Sequence, residues 1–395
     1  MGIKTSLTNA ATCAALVGLS ACSSSPSDST PSVITKQWGA GCTVGAGGLC
    51  SFPAAADPGP GGIRFAASGE VLALTGYAFP PVNMGDPAFV DGWDVHFTRL
   101  LVTVDNITLS SNPDKSPGDQ SQTGGLLAKV EGPWAIDLAH GDSSYLPGKG
   151  GPGEEAVPIA ALPKSSSFAT DGTRYGFGFD LIAATTQTSD GRKTMNVNID
   201  SAGLTDYQTM VQNGCAVLYV GVATFKGGTV TGYESCNADV GSVHYSTWPT
   251  TVPFNLCFKS PTSYVNCQNP DNDPAMAFAN EEHQRGIALK SSQSVIGQVT
   301  IHTDHPFWDS VLHDSPAHFD PFAARVAGAD AGAAPTVTLE MTRGVDYTSY
   351  TDALGNELSW RYCIAPPTNV HPPFSGPMAF DAESVPACSG GDSRT

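Results

Sequence analysis

The sequence predicts an all-β protein: an antiparallel β-sandwich, either one enlarged or two adjacent, braced by disulfides, with long Gly/Pro-rich loops and a few short helices. Three observations predict it. Apolar and polar residues alternate over many short segments, as they do along strands with one buried face. Gly (43) and Pro (30) are plentiful, and long helical periodicities are hard to find. Beyond residue 22 the cysteines form an even set of eight, as a disulfide framework requires.

The segments follow one another along the chain. Residues 69–79 (GEVLALTGYAF) read as an early strand. Residues 93–110 (WDVHFTRLLVTVDNITLS) are the best case, with Val95, Phe97, Leu100, Val102, Val104 and Ile107 near a period of two. One slip at Arg99 suggests a bulge or a bend between sheets. Residues 128–138, 175–186, 193–200, 215–225, 252–258, 294–304, 336–342 and 358–364 continue the series, separated by turn-rich stretches such as SDGRK and FKGGT. Two short helices interrupt it. One covers 206–214, capped by Asp206 and ended by Gly214. The other covers 305–314, with Pro306 in its first turn. The strand rhythm breaks near residue 240, dividing a β-sandwich domain (61–240) from a second β-rich region (241–395).

The N-terminus reads MGIKTSLTNAATCAALVGLSAC. Lys4 precedes a short apolar run from Ala10 to Leu19. That is shorter than the ~20 apolar residues that span a bilayer and reads as a secretory signal over 1–21. The four residues Leu19-Ser20-Ala21-Cys22 resemble the lipobox of bacterial lipoproteins. The resemblance implies cleavage before Cys22, acyl chains on it, and a membrane anchor in the bacterial cell envelope. Ser23, rather than Asp, favours the outer membrane, on either side of it. Residues 22–60, opening with SSSPSDSTPS after the cysteine, read as a Ser/Pro/Gly-rich tether. The alternative is an ordinary signal peptide cut near Ala21, which would release a secreted protein.

Cys42, Cys50, Cys215, Cys236, Cys257, Cys267, Cys363 and Cys388 then fall in an oxidising compartment, where disulfides persist. Pairing between sequence neighbours gives 42–50, 215–236, 257–267 and 363–388. No C-x-x-C occurs, so zinc ribbons, thioredoxin-type redox pairs and c-type haem attachment lack support. The formal net charge is −18; removing residues 1–21 takes away Lys4 and no acid, leaving −19. So acidic a body repels phosphate backbones, which argues against nucleic acid, and it attracts cations.

The chemistry concentrates in residues 302–320, HTDHPFWDSVLHDSPAHFD. Four of the nine histidines, His302, His305, His313 and His318, interleave there with Asp304, Asp309, Asp314 and Asp320. Alternation along 294–304 puts His302 and Asp304 on one strand face. A helix from Pro306 would align His305, Asp309 and His313 four residues apart on another face. Imidazole nitrogens and carboxylates suit zinc or copper. The expected ligands are His302, Asp304, His305, His313 and His318, with Asp309, Asp314 and Asp320 orienting them. Residues 300–305 (TIHTDH) resemble the H-x-H-x-D-H motif of the metallo-β-lactamase superfamily with Thr300 in first place. That superfamily is α/β and carries its motif early, so the match reads as coincidence.

Other candidates are weaker. Residues 269–283 gather Asp271, Asp273, Glu281, Glu282, Asn269 and Asn272, an oxygen-rich set without EF-hand spacing. His283, His371, Met276 and Met378 could meet only through the fold. His96 and His140 read as structural. No G-x-S-x-G elbow, Walker motif or H-E-x-x-H occurs. The expectation is a lipid-anchored envelope protein that binds zinc or copper, with binding ahead of catalysis. The alternatives are a lipoprotein that binds an envelope protein or carbohydrate, with a purely structural His/Asp loop, and a metal-dependent hydrolase.

Overall fold

The computed structural model describes residues 33–39, 41–83, 85–149, 152–237, 245–279, 281–308, 316–329, 334–342 and 363–364. In chain order its strands are β1 (Ile34–Gln37), β2 (Cys50–Ser51), β3 (Ile63–Ser68), β4 (Trp93–Ser110), β5 (Leu126–Glu131), β6 (Trp134–Asp137), β7 (Leu146–Pro147) and β8 (Glu155–Leu162). They continue with β9 (Asp171–Leu181), β10 (Met195–Asn196), β11 (Val217–Phe225), β12 (Thr251–Phe258), β13 (Thr262–Tyr264), β14 (Ile287–Lys290), β15 (Val295–Thr300) and β16 (Val337–Thr338). Four helices accompany them: α1 (Glu70–Thr75), α2 (Gly203–Asn213), α3 (Asp320–Ala323) and α4 (Leu339–Thr342).

The mainly-β expectation holds, but the sheets are mixed rather than antiparallel. The larger sheet runs β16-β12-β11-β4-β6-β10-β2, with β5 and β9 also paired to β4. The smaller runs β15-β3-β8-β7. β15 pairs parallel to β3, β1 to β5, β10 to both β2 and β6, and β16 to β12. Parallel neighbours need long crossovers, and here the crossovers are long in sequence: β3 finds β15 from across most of the chain. Strands on either side of residue 240 also pair with one another: β11 with β12, and β9 with β13 and β14.

β4 organises the larger sheet. Its ends alternate between buried and exposed, and its centre is buried throughout. The centre is covered on both faces: Leu100, Val102 and Val104 face the main core, while Leu101 packs in a second cluster with Tyr207 and Met210 of α2. The slip at Arg99 is a bulge opposite Val220 and Gly221. Gly221 is required there, because a Cβ would lie 2.3 Å from the His96 carbonyl oxygen.

α2 begins three residues before the expected start. Asp200 Oδ1 accepts from Gly203 N at 2.6 Å, so Asp200, not Asp206, supplies the carboxylate at this end. Gly214 ends it as expected, at φ 71°. Residues 69–79 do not form a strand. α1 occupies Glu70–Thr75, and Gly76 at φ 73° stops it. Of the helix expected over 305–314, residues 305–308 are among those described: His305–Phe307 form a single 3₁₀ turn, ended by the extended backbone of Trp308 (ψ 143°). The folded body also begins earlier than the expected tether would allow: β1 lies on the edge of β5, and Cys42 bonds Cys50.

That disulfide is the one nearest-neighbour pairing that holds. Cys215 bonds Cys257, and Cys236 bonds Cys363, replacing 215–236, 257–267 and 363–388. The reason is topological. β11 and β12 are antiparallel partners with Leu218 opposite Cys257, and this pairing brings Cys215, just before β11, close to Cys257, with the two Cα atoms 5.4 Å apart. Cys267 is buried, and Cys388 lies outside the described residues.

The two sheets share one core, in which Phe65 of β3 stacks on Phe177 of β9 at 6.0 Å. At one end, Phe89, Phe254, Phe307, Phe319 and Phe322 form an aromatic plug with centroids 5.0–6.3 Å apart. Each fully buried phenylalanine contributes roughly 1.5–3 kcal/mol of transfer free energy. The plug fixes where the chain can go after β15.

Candidate metal centre

The site is built where β15 ends. Along this strand Gln298 and Thr300 share a face, and Gln298 Nε2 donates to Thr300 Oγ1 at 3.1 Å. Regular pairing stops after Thr300, with Ile301 N donating to the Ser68 carbonyl at 2.9 Å. The next residues keep the alternation. Ile301 and Thr303 are buried, while His302 and Asp304 are only partly so. Two tyrosines hold this extension against the core: Tyr219 OH donates to the His302 carbonyl at 3.0 Å, and Tyr77 OH bonds Thr303 Oγ1 at 2.7 Å. The 3₁₀ turn then brings His305 back over the strand end. Its ring stacks on that of His302 at 4.6 Å with 9° between planes, and packs on Trp308 at 4.0 Å.

The result is a three-residue group. One donor atom each from His302, Asp304 and His305 lies within 4.8 Å of the others, and all three residues are partly buried. A tetrahedral ion with bonds near 2.0–2.2 Å holds its ligands roughly 3.3 Å apart, a spacing inside the 4.8 Å within which these donors lie. The donor set of two imidazole nitrogens and a carboxylate oxygen is one that zinc, copper, nickel or iron accepts.

The electrostatics favour a cation. Burial pushes the Asp304 carboxyl up from the usual carboxylate range; His302 pulls it back, and the negative charge of Glu70 raises it further. Burial raises the Tyr77 phenol well above its ordinary value, and the charge of Asp304 adds to that. A cation between these groups would favour the ionised carboxylate that burial and Glu70 oppose.

The other expected ligands divide. His318 does not join the group. It is fully buried in the aromatic plug, where its backbone N–H donates to the Phe307 carbonyl at 2.9 Å and its ring Nδ1 lies 3.7 Å from Asp91 Oδ2. Asp320 is not beside the cluster either; its Oδ1 accepts from Trp93 Nε1 at 2.7 Å. The reason is the chain path: Trp308 and Phe89 both bridge to Ala317, which draws 316–320 into the plug rather than back toward His302. His313, Asp309, Asp314 and Cys22, the expected lipidation residue, lie outside the described residues, as do His371 and Met378.

The oxygen-rich loop at 269–283 is used by its own backbone. Asn269 Oδ1 accepts from Asp271 N, Asp273 Oδ1 from Ala275 N, and Asn272 Nδ2 donates to the Gln284 and Gly286 carbonyls. Glu281 is paired with the buried Arg285. Met276 is exposed there. His140, expected to be structural, sits in an ionic knot. Its Nδ1 lies 2.9 Å from the buried Asp137, and Arg99 also reaches Asp200 at 2.9 Å.

One neighbour of the centre was missed in the sequence. Glu70 Oε2 lies 3.4 Å from His302 Nδ1. Nothing in the local sequence marks it, because the parallel register of β3 and β15, not spacing, places it there. No protein-family model, curated protein or solved structure matches the chain, and the reading of this centre rests on its own geometry.

Proposed function

We propose that this is an exported, lipid-anchored envelope protein that binds a divalent transition metal, zinc or copper, through His302, Asp304 and His305. The observation that carries the metal reading is the convergence of these three donors within 4.8 Å at the end of one strand. The two histidines offer neutral nitrogens and Asp304 offers charge. The absence of sulfur from the set favours Zn²⁺ or Cu²⁺ over Cu⁺. Three protein ligands leave a coordination position for water or for a partner's group, the arrangement that also supports the metal-dependent hydrolase reading.

The export reading draws on the three disulfides, which belong to an oxidising compartment. Among the described residues no helix is long and apolar enough to cross a membrane. Attachment in this reading comes from acyl chains on Cys22, since a surface this acidic is repelled by anionic lipid. Replacing Cys22 by Ala should move the protein from the membrane fraction to the soluble one and abolish incorporation of labelled fatty acid. An unchanged distribution would rule out the anchor.

The metal reading is tested by elemental mass spectrometry on the purified protein, beside a variant with His302 and His305 changed to Ala. About one equivalent of zinc or copper per chain is expected in the first and none in the second. No metal in either, even after incubation with Zn²⁺ or Cu²⁺, would leave the cluster as a packing feature of the strand end.

A further inference from the structure

The chain brings Glu70 to this centre by an unusual route. β3 and β15 are parallel and in register from Ile63↔Val295 to Ser68↔Thr300. Two residues beyond each end of that ladder stand Glu70 and His302. The parallel register therefore lines the carboxylate up with the imidazole, and the side chains meet at 3.4 Å between Oε2 and Nδ1, both only partly exposed. Glu70 also has a backbone that a glutamate rarely adopts, φ 61°. That conformation is held by Ser68, whose Oγ accepts from Glu70 N at 3.0 Å, and by the tight packing of Gly69, where a Cβ would lie 2.6 Å from Ala73 Cβ. Left-handed backbone at a non-glycine residue persists only where its surroundings impose it, and such residues concentrate at functional sites.

We propose that Glu70 is the positioning residue of the metal centre. Its carboxylate accepts the Nδ1–H of His302, fixes that tautomer, and leaves the Nε2 lone pair for the metal. This rests on the metal reading of the same cluster. Metal-binding histidines commonly donate their second nitrogen to a carboxylate, which orients the ring and raises its basicity. Asp304 is then left to bind the ion directly, so the two carboxylates have different tasks. One holds a ligand and the other is a ligand.

The test uses Co²⁺ as a coloured probe and Zn²⁺ in competition with a chromophoric chelator. It compares the unmodified protein with E70Q, E70D and the His302→Ala/His305→Ala double variant, with circular dichroism confirming the fold of each. Long-range ¹H–¹⁵N spectra of histidine-labelled protein report the His302 tautomer. The expected result is that the unmodified protein holds His302 as the Nδ1–H tautomer, E70Q loses that preference, and affinity falls by about 10- to 100-fold. E70D should restore part of both. Unchanged tautomer and affinity in E70Q, with binding lost in the double variant, would overturn the role of Glu70 and leave the metal site standing. A changed cobalt coordination spectrum with an unchanged tautomer would make Glu70 a ligand and overturn the positioning role. No uptake of Co²⁺ or Zn²⁺ by the unmodified protein would remove the metal reading and this proposal with it.

Discussion

His302 and His318 come from one short polar stretch, and each stands near a carboxylate. His302 sits partly exposed at the end of β15 beside Glu70, Asp304 and His305. His318 is sealed in an aromatic plug beside Asp91, whose Oδ2 accepts from the backbone N–H groups of Phe319 and Asp320, both at 2.7 Å. The first carboxylates face a space where donor atoms converge. The buried one caps backbone that would otherwise be stranded away from water. Composition made the two histidines look alike. What separates them is the bridging of Ala317 to Trp308 and Phe89, which holds His318 in the plug, and which groups each carboxylate already serves.

The largest expected effect tests that division directly. Asp91→Ala leaves two buried N–H groups without their acceptor, at roughly 1–3 kcal/mol each, so a loss of about 2–6 kcal/mol is expected. His302→Ala removes a partly exposed contact with Glu70, of a kind contributing about 0–1 kcal/mol. Urea unfolding of the two variants without metal should therefore differ by several-fold in the stability lost. Equal losses would mean that the strand-end cluster is as structural as the plug, and the comparison would fail.

The second effect reverses the ranking when metal is added. Zinc at a hundred times its dissociation constant should stabilise the unmodified protein by about 2.7 kcal/mol. The increment should vanish in the His302→Ala/His305→Ala variant. It should survive in any folded variant at His318, such as His318→Asn, although that variant starts from a lower baseline. Loss of the increment on changing His318 would bring this histidine back into the site, against its place in the plug.

The parts of this arrangement legible in the sequence are those governed by local pattern. β4 was readable from end to end because its two ends bury one face, and its bulge showed as a slip at Arg99. The shared face of His302 and Asp304 followed from alternation. β3 and β8 were not readable: IRFAAS and EAVPIAAL are short runs buried on nearly every side chain, so no period remains to be seen. The position of Glu70 is the same problem in stronger form. It lies more than two hundred residues from His302, and only the parallel pairing of β3 with β15 aligns the two. The helix expected from Pro306 stops at Phe307 for a local reason that spacing does not carry. Trp308 turns extended to bridge Ala317, and the helix ends after three residues.

The smallest expected effect separates a strained functional residue from an ordinary one. Glu70 at φ 61° carries the cost of left-handed backbone, about 1–2 kcal/mol for a residue with a Cβ. Glu70→Gly removes that cost but adds unfolded-state freedom worth roughly 0.5–1 kcal/mol in the other direction. It also removes the contact with His302, worth about 0–1 kcal/mol. The terms nearly cancel, so the metal-free variant should melt within about 2 °C of the unmodified protein. If Glu70 serves the metal, the same variant should lose most of the zinc-induced rise in melting temperature under subsaturating metal. A variant that is clearly less stable without metal and still binds zinc normally would show that the Glu70 side chain holds the fold, and that its backbone conformation belongs to the turn between β3 and α1 rather than to the site.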